Sequence, residues 1–566
     1  MAVSLGAEAF RSVPEASTRR DDEREFAQID ELVEKIFDVY SFGAIYDRGR
    51  TPGSEKEFLS RLGLGLTVRE PDALYFPEQL KSWALARLKP FDDSYFLPVY
   101  GLRFGEIYAW IDKLIAILET RLNQWVNDMV AITRDLKPIQ EGFVDGNLSA
   151  EECRNRAAQL RIGERLESTG RNGDTLHAFL DVELQQGMPH TSLVGLMKLF
   201  GIKPGEVRPD FVFPHHVNPL EQKLFVILPN GSHYFLDPAS AHRIVAKTFE
   251  QCLLNDSKLQ GRYYKNRSRA MENLVAENIR KVFPKAAIHR NYYLEKGRLE
   301  KDFFILHGRT VILIECKTSR VRGFRGATDD LDKYKSDFEE SVQYGYDQAH
   351  EVKRRVLENG ETTFLEGDGK PKLSIRRAEV DRIFIICVST VPRGPFGTDL
   401  SYELKKNDCE PFPLALGLFD FETICKYFDS DQFVQYLNAR ELLHGKTVTG
   451  DELNYAGYFL KFGHLNLAGT TMLTDDFSGI FDRRWYRERG LEVEEPTGGP
   501  VFTSMTRKGN RLNFEYGTSK RQTIRLPDWV IERTVGKSPI KMKGSDRNRP
   551  CPCGSGIKLK HCCGVN

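Results

Sequence analysis

KDFFILHGRTVILIECK, residues 301–317, holds two apolar runs separated by a Gly-Arg pair and bounded by charges at both ends. Phe303 to Leu306 and Val311 to Ile314 are β-favouring and unbroken by polar residues, the pattern of strands bound for an interior. Glycine at the first of two loop positions suits a tight type II′ turn, whose first central residue needs positive φ. With Gly308 and Arg309 as the loop, facing residues carry numbers that sum to 617, so Asp302 faces Glu315. Alternation along the ladder makes this a non-hydrogen-bonded pair, with Cα atoms about 4.5 Å apart. Two carboxylates opposed in this way repel, and burial worsens the repulsion. A cation must offset it. Lys317 lies two residues beyond Glu315 and projects from the same face. A hard divalent ion such as Mg²⁺, with the Cys316 carbonyl as a further oxygen ligand, would also serve.

Around this hairpin the elements alternate. An amphipathic helix is expected at 271–283, a strand at 288–295, the hairpin, a helix at 336–359 and a buried strand at 382–389. The order α-β-β-β-α-β marks a compact α/β domain. Upstream, 104–133 carries one apolar stripe of a long helix, and 225–238 reads as a β-hairpin about Asn230-Gly231. The chain is therefore expected to be multidomain α+β and α/β. Its expected parts are a mainly helical region 1–260, the α/β core 262–400, a helical extension 401–490, an irregular basic linker 491–545 and a cysteine-rich end 546–566. A length of 566 residues suits several domains.

A net charge of +1 hides segregation. Residues 1–40 hold ten acidic and five basic side chains, 261–325 six and sixteen, and 501–566 four and fourteen. The two basic segments are candidate phosphate-binding surfaces. No apolar run approaches the roughly 20 residues of a membrane helix. The first residues lack the apolar region of an export signal, so a cytoplasmic protein without membrane contact is expected.

The 262–390 segment resembles the PD-(D/E)xK nuclease superfamily, the restriction-endonuclease-like fold, and is NERD-related. Asp302 matches the Asp of the motif, and Glu315 and Lys317 its Glu-x-Lys; Lys301 stands where a proline is frequent. Glu272, followed by Val275-Ala276, matches the acidic residue of the preceding helix, and Gln348 a glutamine carried by the following one. The resemblance implies a Mg²⁺- or Mn²⁺-dependent nuclease, more readily of DNA than of RNA, with Glu272, Asp302, Glu315, Lys317 and Gln348 as its catalytic set. Asp302, Glu315 and the Cys316 carbonyl would hold the metal, and Lys317 would orient the attacking water. Arg267, Arg269, Arg320, Arg322 and Arg325 would grip phosphates. By analogy with other proteins that combine such parts, genome or antiphage defence is the expected setting, and a homo-oligomer is compatible with it.

The chain ends RNRPCPCGSGIKLKHCCGVN. Cys551 and Cys553, then Cys562 and Cys563, flank a Gly-Ser-Gly turn, a spacing that suits tetrahedral Zn²⁺. The segment is similar to the SEC-C motif, which implies a zinc-bound module that contacts a protein partner. The alternative for the whole chain is a non-catalytic nucleic-acid-binding adaptor whose zinc tail docks a ribosome, chaperone or translocase.

Overall fold

The computed structural model describes most of residues 76–493, not including 205, 207–219, 319–334, 391–393, 468–471, 474–476 and a few single positions, together with the backbone of three strands between 502 and 525. Two compact units divide the chain, and the division falls after Leu274.

The described part of the first unit is mainly helical. Helix α1 (Pro77–Leu88) is followed by α2 (Phe104–Val144), a helix of 41 residues. Ile107, Ile111, Leu114 and Leu118 of the expected stripe are buried, whereas Leu122, next along it, is 45 % exposed, and Trp125 and Met129 are half-buried. The helix outruns the expected end at 133, continuing past Pro138. Packing against the helices Ala150–Gln159 and Ile162–Thr175 offsets the lost hydrogen bond: Ile132 and Ile139 stay buried, and the Trp125 indole donates to the Thr169 carbonyl at 3.0 Å. The strands Phe225–Ile227 and His233–Phe235 pair antiparallel about Gly231, whose φ is +81°. Two long helices close the unit, α3 (Ala241–Asn255) and α4 (Ser257–Val282). Helix α4 begins well before the expected start at 271, and the division between the units runs through it rather than near 261.

In the second unit five strands form one sheet: β1 (Ala287–Tyr292), β2 (Lys301–His307), β3 (Thr310–Lys317), β4 (Arg382–Ser389) and β5 (Leu414–Gly417), in spatial order β5-β4-β3-β2-β1. β1, β2 and β3 are antiparallel neighbours; β4 and β5 join β3 in parallel. The connection from β3 to β4 contains helix α5 (Tyr344–Glu358), in keeping with the crossover that parallel pairing needs. The order of elements is the one expected, with two additions. A hairpin, Glu361–Leu365 with Pro371–Arg376, sits between α5 and β4, and the four-residue β5 lies in the supposed helical extension. Within it, 418–440 divides into two helices, Leu418–Tyr427 and Ser430–Arg440, because Asp429 caps the second, and Glu452–Phe462 and Gly479–Arg487 are helices further on. The region expected to be irregular contains the strands Phe502–Lys508, Arg511–Tyr516 and Lys520–Arg525, paired antiparallel in sequence.

Central position explains the unbroken apolar run of β3. Val311 to Ile314 are all at most 1 % exposed, each side chain contributing about 1.5–3 kcal/mol. Val311 and Leu313 share a core with Ala349, Val352 and Val356 of α5 and with Ile383, Ile385 and Cys387 of β4. Among the described residues no helix is long and apolar enough to cross a membrane.

Candidate active site

The β2–β3 register is the one the turn dictates. His307 pairs with Thr310, Leu306 with Val311 and Phe303 with Ile314, and Gly308 has φ +58°. Arg309 keeps a negative φ, as a type II′ turn requires. Its guanidinium holds Asp381 at 2.6 Å, and its carbonyl accepts from the Asp381 N–H at 2.8 Å, tying the turn to the start of β4.

Pairing stops at Phe303–Ile314, one residue short of the two carboxylates. Asp302 turns its Oδ2 onto the main-chain N–H of Cys316 at 2.6 Å. Lys317 then spans both acids: its Nζ lies 2.8 Å from Glu315 Oε2 and 3.7 Å from Asp302 Oδ2. Glu315 is 1 % exposed, so the cluster sits at the dry edge of the core. Its other wall is the first turn of α5. A side chain at Gly345 would begin 3.4 Å from Glu315 Cβ and 3.8 Å from Lys317 Cε, so glycine lets the helix lie directly on the pair.

Burial, and then the charge on Asp302, push the Glu315 carboxyl up to about 7, against the pull of Lys317. Burial also raises Asp302, opposed by Lys317 and the Cys316 N–H. Burial alone would pull the Lys317 ammonium down, but Glu315 and Asp302 outweigh it and hold its pKa above the ordinary lysine value. The three groups therefore carry unequal proton affinities in one small volume, a feature frequent at functional sites.

Asp302, Glu315 and Lys317 are thus brought together. Gln348 is buried one turn along α5 from Gly345, and its Oε1 has no hydrogen-bond partner. Glu272 is half-buried on α4, within the first unit. Arg269 is exposed on the same helix. Arg267 is not a surface cation: it is 3 % exposed and faces Glu250 at 4.0 Å, in a buried group where Arg87 donates to the Tyr263 hydroxyl at 2.9 Å. Its phase on α4 is the reason, since it lies four residues from buried Tyr263 and three from buried Ala270. Arg320, Arg322, Arg325, Cys551, Cys553, Cys562 and Cys563 lie outside the described residues.

Two neighbours had no site role in the sequence. Lys301 is 2 % exposed and reaches Glu351 of α5 at 2.9 Å, adding positive charge beside Glu315. Tyr344, 42 % exposed, holds its ring 5.5 Å from Lys317 Nζ. Only the adjacency of Lys301 to Asp302 hinted at the first; the second needs the packing of α5.

Among the described residues no three His, Cys, Asp or Glu side chains form a ligand cluster. Two carboxylates stand together, and Gln348 Oε1, on the next turn of α5 after Gly345, is buried without a partner. All are oxygens, and the acids are buried close enough to disfavour their joint ionisation. Such a set fits a hard divalent cation that keeps part of its water shell.

A family described as "Domain of unknown function (DUF4143)" matches residues 267–359, the segment that contains these side chains. A second match, to the SEC-C motif, covers residues 547–564. The tail carries a SEC-C motif. The chain is also similar to the protein translocase subunit SecA of Lachnoclostridium phytofermentans, 28% identical over 81 residues, which is 14% of this chain and 9% of that protein. With SecA of Finegoldia magna it is 54% identical over 35 residues, 6% of this chain and 4% of that one. It thus spans less than a tenth of the length of these curated relatives. No solved structure matches.

Proposed function

We propose that the second unit is a metal-dependent nuclease of the PD-(D/E)xK type, acting on DNA in preference to RNA. The observation that carries this reading is the convergence of Asp302, Glu315 and Lys317 at the end of β3, with Lys317 Nζ 2.8 Å and 3.7 Å from the two acids. A structural ion pair needs one acid and one base. Here one ammonium serves two carboxylates, and the buried one, Glu315, has its pKa pushed up to about 7. Asp302, Glu315 and the Cys316 carbonyl would hold Mg²⁺ or Mn²⁺, with Gln348 Oε1 as a further oxygen. Bound there, the ion would neutralise the phosphodiester and ready a water for attack. Lys317, released from part of its ion pairing, would orient that water or meet the negative charge that develops on phosphate. Asp302 would be held in place by the Cys316 N–H, which donates to its Oδ2 at 2.6 Å.

The SEC-C tail favours a second component of function. Its occurrence in the translocase subunit supports a docking role toward a protein partner, with Cys551, Cys553, Cys562 and Cys563 holding Zn²⁺. In this reading the nuclease unit cuts and the tail recruits, in a cytoplasmic defence system.

The test is cleavage of plasmid and single-stranded nucleic acid with Mg²⁺ or Mn²⁺, comparing the wild-type chain with Asp302→Ala and Lys317→Ala. Cleavage by the wild type alone supports the assignment. Equal cleavage by all three removes this site from the reaction, and no cleavage by any favours the adaptor.

A further inference from the structure

Helix α4 carries an exposed cationic face that includes Arg269. Lys258, Arg262, Lys265 and Arg269 follow at spacings of four, three and four residues. At about 100° and 1.5 Å per residue, they fall within an arc of about 60° and extend over about 16 Å. All four are exposed. None of them has a carboxylate partner among the described residues, although the chain as a whole has 80 acidic residues to its 81 lysines and arginines.

Two described acids near this face are committed elsewhere. Glu250 is turned inward to Arg87, at 2.6 Å, and to Tyr263. Asp256 accepts the main-chain N–H of Lys258 at 2.9 Å. Arg262 lies over Phe91, its guanidinium 4.9 Å from the ring, and is exposed. Exposed helices normally place an acid three or four residues from a base, and like charges at those spacings cost a few tenths of a kcal/mol. Apart from Glu272, three residues beyond Arg269, no acid on the described length of α4 shares this face, so the four-cation stripe suits a polyanion.

We propose that this face of α4 binds the phosphate backbone of a nucleic-acid strand without reading its bases. Phosphates advance about 3.4 Å per nucleotide along each strand of a duplex, so about 16 Å of helix faces roughly five of them. Cations that meet only phosphate position the strand and carry no sequence information. The stripe runs toward Glu272, one turn beyond Arg269. The inference shares its partner class with the nuclease reading and does not depend on cleavage.

The experiment uses the full chain without added magnesium or manganese, so that binding is read without cutting. Fluorescence anisotropy with a labelled duplex and the corresponding single strand, over a series of salt concentrations, compares the wild type with Lys258→Gln/Lys265→Gln/Arg269→Gln. Glutamine keeps helix propensity, and Arg262 is left over Phe91. The expected result is weaker binding, with the slope of log K against log salt shallower by about 2 to 3 and the melting temperature unchanged. Unchanged affinity and slope would overturn the proposal. So would equal binding of nucleic acid by both chains when polyglutamate binds the wild type and not the variant, which would assign the stripe to an acidic protein. A chain that binds through the stripe but never cleaves supports this inference and removes the nuclease reading; a chain that cleaves while the variant binds normally does the reverse.

Discussion

Asp302 and Cys316 are joined across the hairpin by a side chain where the ladder would place a main-chain bond: Oδ2 accepts from the Cys316 N–H at 2.6 Å. In the alternation of β2 and β3, Cys316 is next in turn to bond the facing strand after Ile314. The carboxylate takes that donor, the strands part, and Asp302 is fixed with Glu315 and Lys317 beside it. Asp302→Asn keeps an acceptor for this N–H, and Asp302→Ala does not. Asp302→Asn should fold with near-wild-type stability and cleave at least about 100-fold more slowly. Asp302→Ala should lose a further 1–3 kcal/mol or so in denaturant melts, the cost of a buried unpaired donor.

Glu315 makes stability depend on pH in an unusual sense. Its folded pKa of about 7 lies above its unfolded value of 4.5, because burial and Asp302 penalise the charged form. Between those values the folded chain holds the proton more tightly, so stability falls as pH rises through that window, with a slope of up to about 1.4 kcal/mol per pH unit. Melting temperatures of the metal-free second unit's transition should decline from pH 5 toward 7. Glu315→Gln, which cannot ionise, should flatten the decline. Added Mg²⁺ should reverse it near pH 7, since the ion favours the carboxylate; a flat wild-type profile would contradict the burial argument.

Gln348 separates packing from chemistry. Its Oε1 is buried without a partner, so Gln348→Met should leave stability unchanged or raise it by about 1 kcal/mol. Cleavage should nevertheless fall, if the amide oxygen serves the metal or its waters. Wild-type rates in a stable Gln348→Met variant would remove this residue from the site.

Away from the site, Arg440 forms a double contact with Glu452, at 2.7 Å and 2.9 Å, and donates to the Thr398 carbonyl at 2.6 Å, all in the interior. Removing one partner leaves a buried charge. Arg440→Met should therefore destabilise the second unit by about 3–5 kcal/mol in urea titrations, with Arg440→Met/Glu452→Leu recovering much of the loss.

The tail should bind one zinc per chain, measurable by elemental analysis. Cys551→Ser/Cys553→Ser should lose that zinc and any partner recruitment, and leave cleavage by the purified protein unaltered.

The hairpin was legible because a two-residue loop leaves a single register, and an apolar run with charged ends says which end faces solvent. The strand 382–389 and helix α5 were equally plain in periodicity. Arg267 was misplaced because charge was counted along the chain without regard to helical phase, which puts it beside Tyr263 and Ala270 in the interior. The hairpin 361–376 carried an Asp-Gly turn between alternating segments, a signal present but passed over. Strand β5, four residues long, had no periodicity to show, and its identity as a strand depends on a parallel neighbour. The strands between 502 and 525 were masked by charge, since lysine and arginine dominate a segment whose apolar residues are sparse. Gly345 and Tyr344 became relevant only through the packing of α5 on β3.

The sequence distance between pairing partners bears on how the charged cluster is assembled. Asp302, Glu315 and Lys317 lie within one hairpin, whereas Glu315 pairs with Cys387 of β4 only after a long connection closes. Hairpins form in microseconds, and distant parallel pairings follow later. The two acids and the lysine should therefore meet while still hydrated, when repulsion is weak and the ammonium can settle between them. Only afterwards does the sheet close over them and withdraw the water. Folding order thus lets the chain arrange its charges at a high dielectric before it must keep them at a low one.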